Sequence, residues 1–367
     1  MEFGLNESQE ILRDSARQFF AGECPMSEVR RLMETDTAFE QTLWTKLAEQ
    51  GYTGITFPEA VGGAGLGCVE LILLMEEAGR ALLPGPFFST VALAGSIFQS
   101  IGAAAQRKEY LAAIARGEAR GTVAFLEREA SWNPTDLRIV AKNDKLTGEK
   151  LFATDAAVAD WILVAAQNGV FVVRKEAPGL RVTPMLGMDL TRKLYKVQFE
   201  NTPADQLGEL SAISKGLDIA TVALCAEAVG GMQRVLDLSV EYAKTRKQFG
   251  KPIGMFQAVQ HQCADMYLET ESTRSAVYYA AWALQHESPD AAAAVSIAKL
   301  YTSDASRTVG NRAIQIHGGM GFTWENDIHL YYRRAKSSET MFGDATFHRE
   351  RLATLVIDAA VTSAQHA

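Results

Sequence analysis

Tyr242-Ala243-Lys244-Thr245-Arg246-Lys247-Gln248-Phe249-Gly250-Lys251-Pro252-Ile253, running into Phe256-Gln257, His261 and Ala264-Asp265-Met266, is the stretch on which the organisation of this chain turns. It joins two long helical runs. Leu217 to Arg246 leads into it, about 45 Å of helix at 1.5 Å per residue, and Gln257 to Glu287 leads out. Pro289 to Ile316 and a last run near Arg349 to Ala364 follow. Helices of this length favour a bundle, so residues 209–367 are expected to form a C-terminal four-helix bundle.

Upstream the period changes. From Gly121 to about Gln206, short runs of β character alternate with turn residues: Thr122 to Leu126, Leu137 to Ala141, Trp161 to Ala166, Val170 to Val173 and Lys193 to Phe199. Asn143-Asp144, Gln167-Asn168-Gly169 and Pro178-Gly179 separate them. Strands at this spacing suggest a small barrel or sandwich; residues 121–208 are taken as a β-barrel domain. Residues 1–120 read as helices and loops, opened by the polar cap Asn6-Glu7-Ser8-Gln9-Glu10 and including Val69 to Leu82 and Thr90 to Ile101. The expected fold class is α+β multidomain, in the order helical, β, helical.

With 367 residues, 47% of them hydrophobic, the chain buries a large core. A net charge of −8 argues against a nucleic-acid surface, and a phosphate-bearing ligand then needs a defined pocket. Cys24, Cys68, Cys225 and Cys263 lie far apart with no C-x-x-C, as reduced thiols do. No metal site is expected. The start, Met1-Glu2-Phe3-Gly4-Leu5, lacks the order of a signal peptide, and no run of eighteen apolar residues occurs. A cytoplasmic chain away from membranes is the expectation. The glycine-rich stretch Phe57 to Gly67 has none of the spacing of a P-loop, and its plainer reading is a connector.

The opening stretch resembles the signature Y-A-x-x-R-x-x-F-G-x-x-I-x-x-F-Q-x-x-x-x-x-x-A-D-M of the acyl-CoA dehydrogenases. Gln315-Ile316-His317-Gly318-Gly319-Met320-Gly321-Phe322-Thr323 resembles that family's Q-x-x-G-G-x-G segment, about 70 residues on and in family order. Weaker matches, including Glu76-Glu77-Ala78-Gly79-Arg80, extend over almost the whole chain. The resemblance implies FAD as cofactor. It gives Arg246 the pyrophosphate, which a forked guanidinium suits, and places Gln257 near the adenosine end, with Phe249 and Gln315 among the contacts. Gly318, Gly319 and Gly321 would admit close backbone approach. In the family these groups reach FAD held mainly by a neighbouring subunit, which implies a homo- or hetero-oligomer, a dimer or tetramer. The plainer readings are a surface ion pair for Arg246 and a helix C-cap and turn for the glycines. Gly148-Glu149-Lys150-Leu151-Phe152-Ala153-Thr154-Asp155 resembles the family's G-x-K-x-W-I-T-N-G strand. This puts the Thr154 hydroxyl near flavin N5 and Phe152 against the ring. The preceding loop, Glu127 to Asn133, lacks the family's threonine; only Ser131 stands in for it.

The family reaction removes an α-proton to a carboxylate and a β-hydride to flavin from an acyl-CoA, with electron-transfer flavoprotein as acceptor. The usual base is the glutamate of Y-E-G-T. Here two registers compete within Met341-Phe342-Gly343-Asp344-Ala345-Thr346. Counting from Arg333-Arg334-Ala335-Lys336 puts Phe342 there and leaves no base. Counting back from Glu350-Arg351-Leu352 puts Asp344 there, with Thr346 keeping the flavin-side hydroxyl. Asp344 also reads as an ordinary helix cap. Some relatives carry the base early in the long helix, at the place of Ala220; Glu227 lies two turns on, about 10 Å away, and also reads as a buried glutamate with an arginine or backbone partner. Thr323 to Tyr331, with Gly343-Asp344 and His348-Arg349, resembles a heteromeric branch of bacterial steroid and acyl catabolism, in which one chain has the full catalytic set. Three functions remain open: a dehydrogenase alone or as one subunit, a non-catalytic FAD and assembly subunit, and a flavin monooxygenase on the same fold.

Overall fold

The computed structural model describes residues 4–358. Up to Ala115 the chain is helical: α1 (Glu7–Glu23), α2 (Met26–Met33), α3 (Gln41–Glu49), α4 (Cys68–Arg80), α5 (Ser96–Ser100) and α6 (Ala104–Ala115). A capping box starts α1 at the expected polar cap. The Asn6 side chain accepts from Gln9 N at 2.9 Å and the Gln9 side chain from Asn6 N at 3.1 Å. Phe88–Gly95, ahead of α5, winds as a wholly buried π-helix.

Seven strands follow: β1 (Gly121–Ala124), β2 (Lys145–Thr154), β3 (Trp161–Ala166), β4 (Gly169–Arg174), β5 (Leu180–Met185), β6 (Leu194–Pro203) and β7 (Asp205–Gly208). They form two sheets, β1-β3-β4-β7 and β2-β6-β5, antiparallel except for the parallel pair β1 and β3. The expected barrel is not formed, since neither sheet closes. Side chains meet β1 where a ladder partner would have continued the sheet. Thr90 Oγ1 donates to Gly121 O at 3.0 Å and accepts from Gly121 N at 3.2 Å. Thr122 Oγ1 donates to Thr154 O on β2. The sheets share one core, with Leu146, Ile162, Phe171, Val197 and Phe199 inside it. Leu137 to Ala141, expected as a strand, joins no ladder; the Asn168 side chain takes both the N–H and the C=O of Ala141.

Helices resume with α7 (Ile213–Thr245), a single helix over the expected long run. The two-residue strands β8 (Lys247–Gln248) and β9 (Lys251–Pro252) make a hairpin. Its corner, Phe249 and Gly250, has φ of 52° and 78°, as a tight twisted hairpin demands. Then come α8 (Gln257–Gln285), α9 (Ala291–His317), α10 (Ile328–Thr340) and α11 (Ala345–Ala353). Sequence periodicity does not disclose α10. The last helix begins at Ala345 rather than near Arg349, and residues 359–364 of that expected run lie outside the described residues, as do Met1, Glu2 and Phe3.

Within the described residues the chain divides into two compact units. One is drawn from the segment ending at Met26, from Ile72–Leu83 and from Thr221 onward; the other from Ser27–Leu71 and Pro84–Ala220. In the first, α4 crosses α7 at paired glycines. A Cβ on Gly79 would stand 1.9 Å from Glu227 O, and one on Gly230 1.8 Å from Glu76 O. No described helix is long and apolar enough to cross a membrane.

Candidate functional site

In the first unit, the ends of α7 and α9 come together. His317 stacks on Tyr242 with ring centroids 4.4 Å apart, and its Nδ1 lies 2.8 Å from Ala313 O. Arg246 stands one turn beyond Tyr242, its N–H bonded to Tyr242 O at 2.8 Å. Its guanidinium is exposed and makes no hydrogen bond or ion pair among the described residues. The plainer reading of Arg246, a surface ion pair, is therefore not realised among the described residues. Phe249, at the hairpin corner, is 91% exposed, its ring edge-on to Phe256 at 6.1 Å. Lys251 Nζ lies 4.5 Å from the centre of that same Phe256 ring. Gln257 begins α8, and both it and Gln315 are exposed.

Gly318 closes α9 with φ 60° and ψ −140°, and nothing lies within 4 Å of where its Cβ, or that of Gly319, would be. Gly321 differs. Its missing Cβ would come 3.0 Å from the Ile314 backbone, so packing onto α9 accounts for that glycine.

In the second unit, the register of β2 against β6 shifts between Lys150 and Ala153. This bulge puts Phe152 at φ 57° and leaves it 41% exposed, while Thr154 is buried. Ser131 is tied into its own loop, donating to Asp136 Oδ2 at 2.6 Å and accepting from Asn133 N at 3.1 Å. The loop hangs on an ion pair that the motifs do not reveal. Buried Lys150 donates to Glu127 Oε1 at 2.7 Å and to Phe125 O at 2.9 Å. Glu127 also accepts from the Arg138 and Ile139 N–H groups. Burial, opposed by Glu127, pulls the Lys150 ammonium down to about 8. Burial also resists charge on Glu127, but Lys150 and the two N–H groups outweigh it and hold the carboxyl below its ordinary value. The sequence signal is the lysine of the G-x-K-x-W-like strand, whose partner lies 23 residues upstream.

The carboxylates are separated by environment. Asp344 is exposed and caps α11, its Oδ1 accepting from Phe347 N at 2.8 Å; Thr346 is exposed in the first turn. Phe342, which the competing register sets at the base position, is buried. Glu227 is 4% exposed and accepts from Arg334 Nη1 at 2.7 Å, while Arg334 Nη2 donates to Leu83 O. An arginine partner is thus present for it. Ala220 is buried and brings no carboxylate. Near the cap, buried Lys299 donates to Ser303 Oγ and to the carbonyls of Ser338 and Glu339, and burial pulls it down to about 8.

Two family profiles match. The acyl-CoA dehydrogenase N-terminal domain covers residues 6–118, and the acyl-CoA dehydrogenase C-terminal domain covers residues 210–357. Acyl-CoA dehydrogenase IpdE2 of Mycolicibacterium smegmatis is 33% identical over 352 residues, 95% of this chain and 98% of that protein. Among solved structures, a variant of the Tcur3481-Tcur3483 steroid ACAD superposes with a TM-score of 0.89 at 32% identity, over 97% of this chain and 99% of that one. PigA in its FAD complex superposes with a TM-score of 0.88 at 25% identity, over 96% and 98%. Likeness at this level along nearly the full length, with both profiles in order, establishes that this chain belongs to the acyl-CoA dehydrogenase family of FAD-dependent flavoproteins.

Proposed function

We propose that this chain takes part in the α,β-dehydrogenation of an acyl-CoA thioester, as a subunit beside a second copy or a second acyl-CoA dehydrogenase-like chain. The observation that carries this is the junction of α7 and α9. An exposed, unengaged guanidinium at Arg246 stands near glycines with open space at their missing side chains. A pyrophosphate fits such a place, because it takes forked N–H donors and close backbone approach. In this reading Arg246, Phe249, Gln257, Gln315, Gly318 and Gly319 hold the adenosine and pyrophosphate end, and Gly321 shapes that loop from beneath. Phe152, Thr154 and Thr346 serve the flavin end. FAD, when bound, supplies the hydride acceptor. The likeness to a steroid ACAD supports a steroid side-chain or fatty acyl thioester as substrate, and family membership supports electron-transfer flavoprotein as acceptor. The division at residues 1–120, 121–208 and 209–367 is part of the same proposal.

Asp344 is the carboxylate we assign to the α-proton. One oxygen is engaged by Phe347 N, which leaves the other to accept. Asp344→Asn keeps the shape and removes the acceptor, so turnover in the flavin-loaded assembly falls at least about a hundredfold with flavin retained. Undiminished turnover would exclude Asp344. A second reading, a non-catalytic subunit completing another chain's site, is favoured by buried Phe342 where the glutamate register places the base. Activity that appears only with a partner carrying its own glutamate supports that reading.

A further inference from the structure

The connector between α10 and α11 is held from within. Phe342 and Gly343 are left-handed in succession, with φ of 58° and 97°, a conformation a large side chain adopts only when its surroundings impose it. A Cβ on Gly343 would meet the Phe347 ring at 2.2 Å. Behind the turn lies His348, 1% exposed, with Nε2 2.9 Å from Phe342 O. Its Nδ1 is buried with no hydrogen-bond partner among the described residues. Before the turn, Lys299 grips the carbonyls of Ser338 and Glu339 at the end of α10. The Asp344 cap alone suffices to start α11; a buried imidazole on the preceding carbonyl does something more.

We propose that His348 is a positioning residue: its Nε2–H, donated to the Phe342 carbonyl, sets the left-handed turn and so the direction in which Asp344 presents its carboxylate to the acyl thioester. This rests on the assignment of Asp344 as base. A neutral ring protonated on Nε2 fits both observations, the bond to Phe342 O and the bare Nδ1. The charges facing the ring are Lys299 from α9, Arg351 on α11 and Asp344 at the cap. Burial foremost, offset by Phe342 O and then aided by Lys299 and Arg351, pulls the imidazole down to about 4. The unfolded chain takes up this proton near pH 6.5 and the folded chain only near 4. Stability from this group is therefore complete above about pH 6.5 and is lost as pH falls toward 4.

The test pairs His348→Leu with His348→Gln, whose amide nitrogen can reach the same carbonyl, in the flavin-loaded assembly. In the leucine variant, hydrogen exchange over 343–348 is expected to quicken at least about tenfold, the effect of one lost buried bond. Its kcat should fall about tenfold with KM held within about twofold, and flavin absorbance should be unchanged. Glutamine should restore both, and it should lessen the loss of stability between pH 6.5 and 4 by the share that His348 contributes. Unchanged exchange in the leucine variant overturns the proposal, as does failure of glutamine to restore. Full activity in the leucine variant, where Asp344→Asn is inactive, also overturns it. An active Asp344→Asn instead sinks the base assignment, and exchange then decides the turn role alone. If the leucine variant does not fold, the glutamine variant decides. Native exchange and kcat, with a smaller loss of stability between pH 6.5 and 4 than the parent chain shows, sustain the proposal, and altered exchange or kcat overturns it.

Discussion

Arg246, just past the end of α7, and Glu227, within it, illustrate opposite roles for charge. Arg246 is exposed and unengaged among the described residues, so its removal should cost the fold almost nothing. Arg246→Ala is expected to weaken FAD binding at least about tenfold, the effect of a lost charge-assisted pair, with the unfolding midpoint of the flavin-free chain unchanged. Equilibrium titration at limiting FAD reads it, and unaltered affinity would remove the pyrophosphate role. Glu227 should behave the other way. Glu227→Ala strands Arg334 in the interior, a loss of about 3–5 kcal/mol by denaturant titration. A loss under about 1 kcal/mol would mean that Arg334 finds water or another partner. Arg246 stands out in the sequence because it belongs to a contiguous motif. The partner of Glu227 does not, since 107 residues separate the two in sequence.

At the scale of elements, the crossing of α4 and α7 sets local preference against packing. Alanine is a better helix former than glycine by about 1 kcal/mol, so Gly230→Ala would stabilise an isolated α7. In the folded chain the new methyl falls 1.8 Å from Glu76 O, and overpacking of that kind costs about 1–3 kcal/mol or more. Net destabilisation in thermal unfolding is the expected result; a stabilised variant would show that the helices can part without penalty. The β region teaches the converse. Its strand runs were readable at Trp161–Ala166, where β3 falls where it was expected. Closure was not readable, because it depends on what meets the edge of β1. There Thr90 and Thr122 hydroxyls take up backbone groups that a closing strand would have needed.

For the molecule as a whole, the apolar side chains left outside matter most. Phe249, Phe322 and Met320 are exposed at 91%, 70% and 49%, around the same hairpin and glycine loop as Arg246. A surface of this kind is suited to a neighbouring chain. Expressed alone, the chain should carry little flavin if its partner is a different protein, and a full complement when co-expressed with it. The ratio of flavin to protein absorbance measures this. Full flavin in the chain purified alone, as a homo-oligomer, would dismiss the need for a second kind of subunit.

The sequence by itself determined the helical ends, the single long helix α7, and the family signature around Arg246 and Gly318. Each of these is local: a period, a cap, or residues within a few turns of one another. Tertiary structure alone decided that the two sheets stay open, that Lys150 is neutralised by Glu127, and that Phe342 turns inward. These outcomes depend on which groups are buried together, and burial sets the cost of every unpaired charge and carbonyl. A pattern along the chain carries a residue's neighbours in sequence; Glu227 and Arg334 meet across 107 residues.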